Sequence, residues 1–374
     1  MGGSYFFGGG TGGHIYPAIA VAEKIIRLEP DAEIHFFCSS RDIDSQILSK
    51  AGFKFTTLPA CGFSARLGGL IRFCRLFLQS YKIAREIIAE SKNPVVIGIG
   101  GFVAAPVCRA GHKLKAPVVL LNLDSVPGKA NKMIAHWADI IFVQFEETAR
   151  YFARREARVE VAGCPLRSGF EKPDPSKAME ELGLDAGKKI LLVTGASSGS
   201  ASINETVCSL LPRLDLFADE WQVVHLAGRA NFEPRKVGAG LRISHRVLDY
   251  YDEMANLLSA ADLVIGRSGA VSVAEYAAAG VPSICMPYPH HKDRHQYFNA
   301  EQLVDAGAAI VVDDLPDAKE RAEWLWEELE PLLKNDEKLK EMKEACQMAA
   351  KGDAALKLAE KLLAIGIDRR RDDL

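Results

Sequence analysis

The sequence of 374 residues lacks the marks of several common classes of protein. Its eight cysteines are scattered without a C-x-x-C pair, which argues against a disulfide framework or a zinc site and predicts mostly buried, free thiols. It has no run of about 18 apolar residues, so we expect no transmembrane helix. The first residues carry no charged leader before an apolar stretch, so we expect no secretory signal. We therefore predict a protein of a reducing, cytosolic compartment.

Strong net charge is also absent, since the formal net charge is −3. This argues against a nucleic-acid partner, which would need many neutralised phosphates. The charge is unevenly distributed: residues up to Gly163 contain 20 Lys and Arg against 14 Asp and Glu, and the remainder contains 26 against 35. Residues 45–85 hold seven basic residues and no acidic one. The first half therefore carries a basic region that predicts an anionic partner.

Short apolar runs alternate with longer helical stretches, which predicts parallel βαβ units and an α/β fold. The pattern runs twice, opening with the glycine-rich segments Gly8–Gly13 and Gly195–Ser200, so we expect two domains. We place the boundary at Gly163–Arg167. The predicted strands are Ser4–Phe7, Glu33–Cys38, Val95–Ile99, Val118–Leu121, Ile140–Val143, Val159–Val161, Ile190–Thr194, Gln222–Leu226, Leu263–Ile265, Ser283–Met286 and Ala309–Val312.

Gly8, Gly10 and Gly13 form a G-x-G-x-x-G pattern, whose familiar interpretation is dinucleotide binding. That function also wants an acidic residue at the end of the second strand, where this chain has Phe37–Arg41, so a nicotinamide enzyme is disfavoured. The glycines either permit tight turns only or let backbone N–H groups approach an anion. A further glycine loop, Gly98–Pro106, favours an anion site, because ligands bind at the carboxyl ends of parallel strands.

The stretch Gly266–Pro282 follows a predicted strand and begins a helix. Glu275 shares a helical face with Val271 and Ser272, where its carboxylate could accept hydrogen bonds from two vicinal hydroxyls, as a ribose presents. Arg267, at the strand end, could meet phosphate or sugar oxygens. The alternative for Glu275 is a solvated helix face, which its apolar neighbours disfavour.

Three histidines, His290, His291 and His295, follow the next predicted strand. His291 and His295 are spaced i,i+4 as metal ligands often are. The segment supplies only Asp293 as a nearby acid, so we predict no metal site. Its polar side chains suit a neutral sugar.

Four motifs together resemble those of the MurG family, the peripheral membrane glycosyltransferases that add N-acetylglucosamine to the lipid-linked muramyl-peptide of peptidoglycan synthesis. They are Gly9–His14 with Pro17, Gly98–Pro106, Arg267–Gly280 and His291–Ala300, and they cover nearly the whole chain in order. The resemblance implies a GT-B fold: two Rossmann-like parallel-sheet domains, residues 1–163 and 164–349, face each other across a cleft. A C-terminal helix at about 350–374 would cross back to the first domain.

The resemblance implies an inverting transfer of N-acetylglucosamine from UDP-GlcNAc to the muramyl sugar of a polyprenyl-diphosphate-linked precursor, from lipid I to lipid II. Glu275 would hold the ribose, backbone near Tyr251 the uracil, and the loop 195–200 the diphosphate. The implied UDP-GlcNAc contacts are Thr11, Gly12, Gly13, Asp124, Arg167, Ser198, Tyr251, Arg267, Ala270, Val271, Ser272, Glu275, His295 and Gln296. The acceptor diphosphate would lie at Gly10, Gly13, Gly100, Gly101 and Phe102. We expect no required cofactor; Mg²⁺ could accompany the diphosphate, without a dedicated protein site.

Five positions depart from the family pattern. Phe102 stands for a tyrosine, Asn122 for a glutamate, Asp124 for a sugar-contacting asparagine, Ser198 for a glutamine, and His295 for the first of two paired glutamines. The UDP site is mostly retained. The departures keep two alternatives open: a GT-B transferase acting on another lipid, such as a diacylglycerol or polyprenol, and a non-catalytic UDP-sugar-binding homologue acting as an adaptor.

His14 and Asp124 are the candidate bases for the acceptor hydroxyl. His14 alternatively orients a ligand or caps its helix. Positive potential for the departing diphosphate would come from helix N-termini with Arg167 or Arg267.

The segment 66–88 predicts an amphipathic helix with separate apolar and basic faces. An apolar stripe of this kind often faces a core, but the absence of acids favours an interfacial helix on anionic lipid. The predicted membrane face consists of Leu70, Arg72, Phe73, Arg75, Phe77 and Lys82, with Ala84 and Ile88 continuing the apolar stripe. We therefore predict a peripheral protein on the cytoplasmic face of the cell inner membrane.

Overall fold

The computed structural model describes residues 3–10, 12–63, 66–153, 157–196, 199–228, 240–350 and 352–372. The chain divides into two compact units: unit 1 is Met1–Arg167 with Gly352–Leu374, and unit 2 is Ser168–Lys351.

Unit 1 is built around one parallel sheet. Its strands are β1 (Ser4–Gly9), β2 (Glu33–Ser39), β3 (Lys54–Leu58), β4 (Pro94–Gly100), β5 (Val118–Asn122), β6 (Ile140–Val143) and β7 (Arg158–Val161). Its first helices are α1 (Gly12–Leu28), α2 (Asp42–Lys50), α3 (Leu67–Ala89), α4 (Gly101–Lys113) and α5 (Lys129–Ile134). In the described part of this unit, seven strands pair in the order β3-β2-β1-β4-β5-β6-β7, all parallel.

Unit 2 repeats the architecture. Its strands are β8 (Lys189–Thr194), β9 (Trp221–Leu226), β10 (His245–Leu248), β11 (Leu263–Gly266), β12 (Ser283–Cys285) and β13 (Ala309–Val311). Its helices are α6 (Pro175–Leu182), α7 (Ala201–Leu214), α8 (Met254–Ala260), α9 (Ala270–Ala279), α10 (His295–Asp305), α11 (Ala318–Leu333) and α12 (Asp336–Ala349). Among its described residues, six strands pair in the order β10-β9-β8-β11-β12-β13, again parallel. The predicted fold class is confirmed: each unit is a Rossmann-like α/β sheet.

Each predicted strand is present, because the central strands are buried on both faces and consist of apolar residues. Two strands escaped prediction, β3 and β10. Both lie at sheet edges and are partly exposed, so polar residues such as Lys54 and Arg246 interrupt their apolar pattern.

The core of unit 2 lies between the sheet and helices α7, α11 and α12. Trp221 is fully buried there, and its indole Nε1 donates to the carbonyl oxygen of Leu333 at 3.1 Å. Six of the eight cysteines are buried, and burial raises the pKa of the Cys208 and Cys285 thiols to about 11.

The last helix, α13 (Ala354–Asp372), belongs to unit 1 and packs against α1. The nearly buried Lys24 Nζ of α1 lies 2.6 Å from Asp353 Oδ2, just before α13. Asp353 Oδ1 in turn accepts from the Leu356 amide at 2.9 Å, which caps the helix. Burial is the largest single effect on Asp353 and opposes its charged form, but the hydrogen bond and charge of Lys24 and the hydrogen bonds from the Leu356 and Ala355 amides together outweigh it and lower the pKa of the carboxyl.

The structure corrects the predicted membrane face on α3. Ala84 and Ile88 are fully buried, and Phe77 packs against the core of unit 1, so the predicted apolar stripe faces inward over most of its length. Among the described side chains of this helix, the large apolar ones with the greatest exposure are Ile71 (63%) and Leu78 (58%). They share a face with Arg75 and Lys82, because these positions follow helical spacing.

Within the described chain, no helix combines the length and apolarity needed to cross a membrane.

Replacing Lys24 by Met should loosen α13, because the carboxylate of Asp353 loses its charged donor. We expect the α13 amides to lose about 2 kcal/mol of protection in hydrogen exchange. The matched control is Lys361→Met on α13 itself: Lys361 is more exposed than Lys24 and pairs with Glu160, which Arg158 also contacts. That variant should lose less than about 0.5 kcal/mol. Equal losses in the two variants would contradict the anchoring role of Lys24.

Candidate functional site

In unit 1, the loops after β1 and β4 meet around His14. Because a carbonyl oxygen only accepts, His14 Nδ1 carries a proton and donates to Gly10 O at 2.8 Å. The lone pair of the neutral ring is then on Nε2. A Cβ added to Gly100 would lie 2.8 Å from this Nε2, and Gly100 has a φ of +131°, so only glycine fits against the imidazole. The ring nitrogen that can accept a proton therefore faces the Gly100 loop.

Asn122 and Asn131 extend this cluster to the end of β5. The Asn131 amide donates to Asn122 Oδ1 at 2.8 Å, and the Asn122 amide donates to the backbone oxygen of Asp124 at 2.7 Å. Asn131 Oδ1 lies 3.2 Å from the Cβ position at Gly100. These two buried amides fix the backbone that carries the half-buried Asp124. Sequence reasoning missed Asn131, although Asn122 was noted as a departure.

The other predicted residues of unit 1 have more varied surroundings. Gly13 is open, with nothing within 4 Å of an added Cβ, whereas Gly101 has a φ of +74°. Phe102 packs partly against the core of unit 1 and brings no hydroxyl to the loop. The Arg167 guanidinium lies over the Tyr16 ring, 4.5 Å from its centroid. Thr11 is outside the described residues, and Gly12 begins α1.

In unit 2, the loop after β8 is closed by glycines that no other residue could replace. A Cβ on Gly195 would lie 2.1 Å from the Ser200 amide nitrogen. Gly199 has a φ of +73°, and its added Cβ would lie 2.3 Å from the carbonyl oxygen of Ala227. Ser200 then caps α7, with its Oγ accepting from the Ile203 amide at 3.4 Å. Ser198 lies outside the described residues.

A buried hydrogen-bond chain fixes the backbone that Gly199 meets. The Asn204 amide donates to Ala227 O at 2.9 Å, and His225 Nε2 lies 3.0 Å from Asn204 Oδ1. Burial lowers the pKa of His225 to about 3, with the neighbouring His245 adding to the effect. His225 is therefore neutral at physiological pH and donates to Asn204 from Nε2.

The N-terminal turns of α9 carry the predicted ribose-binding face. Val271, Ser272 and Glu275 are partly exposed together, whereas Val273 and Tyr276 are buried on the other side. Ala270 is buried at the helix start. The shared face inferred from spacing is therefore present, and the assignment of Glu275 to a ribose stays a prediction.

Arg267 requires a correction, because its side chain is turned into the protein. It is 7% exposed, and Nη1 donates to the backbone oxygens of Met286 and Pro287 at 2.8 and 3.2 Å. Nη2 donates to Asp314 Oδ2 at 2.7 Å and to Ser200 Oγ at 2.7 Å. A direct contact with nucleotide-sugar oxygens is disfavoured, because these donors are already used. Sequence reasoning missed Asp314, although an acidic pair after the last predicted strand was a visible signal.

The loop before α10 orders His295 and Gln296. His295 Nδ1 lies 2.7 Å from Asp293 Oδ1, and Gln296 Oε1 accepts from the Tyr288 amide at 2.9 Å. The His291 and His295 rings stack, with centroids 4.3 Å apart. Among the described residues, no group of three or more His, Cys, Asp or Glu side chains could hold a metal ion.

Tyr251 lies between β10 and α8, where its hydroxyl donates to Glu181 Oε2 at 2.6 Å. Burial and the Glu181 carboxylate raise the pKa of this phenol. The assignment of the nearby backbone to a uracil concerns main-chain atoms and stays a prediction.

Known proteins resemble the chain over both units. Residues 5–143 match the glycosyltransferase family 28 N-terminal domain, and residues 190–358 match the glycosyltransferase family 28 C-terminal domain. A protein of Caldanaerobacter subterraneus subsp. tengcongensis, named a UDP-N-acetylglucosamine N-acetylmuramyl-(pentapeptide) pyrophosphoryl-undecaprenol N-acetylglucosamine transferase, is 33% identical over 368 residues, covering 96% of this chain and 99% of the relative. A Leuconostoc citreum protein of the same name is 37% identical over 315 residues, covering 82% and 84%.

Among solved structures, Acinetobacter baumannii MurG aligns with a TM-score of 0.72 at 23% identity, covering 97% of this chain and 99% of that one. This likeness shows a shared fold.

Gly199→Ala should destabilise unit 2 far more than a matched glycine replacement. The control is Gly183→Ala, where φ is +61° but nothing lies within 4 Å of the added Cβ, so it tests backbone strain alone. We expect the control to lose about 1 kcal/mol of unfolding free energy and Gly199→Ala at least about 3 kcal/mol, because the methyl group also meets the Ala227 carbonyl. Urea denaturation followed by tryptophan fluorescence measures both. Similar losses would argue against the tight loop.

Proposed function

The chain belongs to the MurG family of glycosyltransferases, and we propose that it transfers N-acetylglucosamine from UDP-GlcNAc to the muramyl sugar of a polyprenyl-diphosphate-linked peptidoglycan precursor, from lipid I to lipid II. The observation that carries the proposal is the 33% identity to a transferase named for this reaction, over nearly the full length of both chains. The matched family domains span the glycine loops of both units.

The donor would bind to unit 2 at the carboxyl ends of its strands. The α7 N-terminus, closed tightly by Gly195 and Gly199, favours the diphosphate through backbone N–H groups and the helix dipole. Glu275 would accept hydrogen bonds from the ribose, and backbone near Tyr251 would meet the uracil. The sugar would lie near Ser272, His295 and Gln296. Arg267 would support the loop after β8 through its hydrogen bond to Ser200 and would not contact the donor, because its guanidinium is buried.

The acceptor would bind to unit 1 beside His14. As the acceptor hydroxyl attacks the anomeric carbon, the bond from that carbon to the UDP oxygen breaks, and its electron pair leaves with the diphosphate. His14 Nε2 would take the hydroxyl proton, since Nδ1 is already protonated against Gly10 O. The Gly100 and Gly101 backbone, with Gly10, Gly13 and Phe102, would line the acceptor diphosphate site. That the reaction requires no cofactor stays a prediction.

Replacing His14 by Gln should lower kcat by about a hundredfold or more, with little change in KM for UDP-GlcNAc, because a base acts in the transition state. The matched control is His136→Gln: His136 is an exposed histidine of the same unit and should leave kcat unchanged. Turnover is measured with UDP-GlcNAc and a short-chain lipid-linked muramyl acceptor. Asp124→Ala provides the comparison for the second candidate. Unchanged turnover in His14→Gln would reject His14 as the base.

The same assay separates the two alternatives. A transferase for another lipid would bind UDP-GlcNAc and turn over only with a diacylglycerol or polyprenol acceptor. An adaptor would bind UDP-GlcNAc without turnover on any of these acceptors. UDP-glucose serves as the control donor in each case.

We propose that the exposed face of α3 binds the membrane that holds the acceptor, on the cytoplasmic side of the inner membrane. Ile71 and Leu78 supply apolar area that can enter the headgroup region, while Arg75 and Lys82 face anionic lipid. Phe63, 55% exposed, extends the apolar area through its contact with Phe73. Arg72 is exposed beside this face and Leu70 lies at its edge.

Ile71→Asp with Leu78→Asp should lower binding to vesicles containing phosphatidylglycerol by about tenfold or more, because two apolar side chains no longer insert. The control is Leu216→Asp in unit 2, where Leu216 is 76% exposed. It should leave vesicle binding unchanged. Co-sedimentation at two salt concentrations measures both effects, and equal binding by all three proteins would contradict the proposed face.

A further inference from the structure

Asp314 lies just beyond the end of β13 and is 5% exposed. Its Oδ2 accepts from Arg267 Nη2 and from Ser202 Oγ, each at 2.7 Å. Its Oδ1 lies 3.6 Å from Arg321 Nε. One carboxylate therefore connects the end of β11, the first turn of α7 and the start of α11.

Arg267 extends this connection to the loop after β8. The same Nη2 that pairs with Asp314 also donates to Ser200 Oγ at 2.7 Å and Ser202 Oγ at 3.1 Å. Ser200 is the N-cap of α7, so the guanidinium of Arg267 donates to the hydroxyl that caps this helix. Asp314 is thereby connected to the helix end through the side chains of Arg267 and Ser200.

The charge balance of this cluster is unusual for a protein interior. Arg267 and Arg321 are both buried, whereas the second acidic partner of Arg321, Glu205, has a side chain that is 57% exposed. Asp314 is thus the one buried carboxylate that these described contacts give to two buried guanidinium groups. Neutralising Asp314 would leave the buried Arg267 without its carboxylate partner, whereas Arg321 keeps Glu205 Oε2 at 2.9 Å, so Arg267 is the side chain we expect to move.

We propose that Asp314 is a positioning residue for donor binding: through Arg267 and Ser202 it holds the N-terminus of α7 in the conformation that accepts a nucleoside diphosphate. The role of Asp314 rests on the proposed donor site in unit 2. Asp314 itself does not touch the substrate, because the carboxylate would repel the diphosphate and is covered by its partners. Its effect should therefore be confined to the diphosphate part of the ligand.

The variant Asp314→Asn tests this, since it keeps the shape and removes the charge. We expect the dissociation constant for UDP to rise by about tenfold, while that for uridine stays within about twofold of wild type, because uridine lacks the diphosphate. KM for UDP-GlcNAc should rise with it, and KM for the lipid acceptor should not. Isothermal titration calorimetry measures UDP binding, and competition against UDP-GlcNAc measures uridine binding.

The matched control is Asp262→Asn in the same unit. Asp262 Oδ2 accepts from the Ile190 amide at 2.8 Å, at the amino-terminal ends of β8 and β11. Asp262→Asn therefore reports the general destabilisation that follows the loss of a carboxylate. We expect the ratio of UDP to uridine affinity in this variant to match wild type.

Ser202→Ala provides a second variant if Asp314→Asn fails to fold, since it removes the hydroxyl that contacts both Asp314 and Arg267. It should weaken UDP binding in the same selective way, by a smaller factor. An unchanged ratio of UDP to uridine affinity in the folded variants, or an equal change in Asp262→Asn, would overturn the role of Asp314. If wild-type protein binds neither UDP nor UDP-GlcNAc, the proposed donor site is rejected, and the role of Asp314 is rejected with it.

Discussion

Parallel strand pairing is the constraint on which the rest of this protein depends. Every described strand pair in both sheets is parallel, so the carboxyl ends of all strands in a unit lie at one edge. Helices that follow the strands therefore begin at that edge, where their unpaired N–H groups favour anions. Residues far apart in the chain meet there, as Arg267 meets Asp314 across 47 positions. In each unit, parallel pairing thus brings the candidate functional side chains to the carboxyl ends of the strands.

The central strands and glycine loops were predictable from sequence, because burial on two faces and tight turns restrict residue type strongly. The edge strands β3 and β10 were not, since one open side admits lysine, threonine and arginine. The same reasoning identified the shared face of Glu275, whereas the ribose assigned to that face stays a prediction. The spacing of residues along a helix predicts which of them share a face, but it does not predict which group that face contacts.

Two errors share one physical cause. Arg267 stood at a strand end where an exposed guanidinium would suit phosphate, and the stripe of Phe77, Ala84 and Ile88 had the spacing of a membrane helix. In each case the side chain found a partner within the fold: Asp314 for Arg267, and the core of unit 1 for the helix. Asn122, a departure from the family pattern, likewise has a partner within the fold, because Asn131 donates a hydrogen bond to it. Such pairs are visible only when both partners are placed.

The return of α13 makes unit 2 an insertion within unit 1. The contact between Lys24 and Asp353 joins residues 329 positions apart, and the whole of Ser168–Lys351 lies between the two segments of unit 1. During synthesis on the ribosome, the surface of α1 that contacts α13 therefore stays uncovered until α13 has emerged. A folded unit 2 shortens the effective loop that must close, because its interior segments no longer add chain entropy. Folding of the inserted unit thus prepares completion of the unit that encloses it.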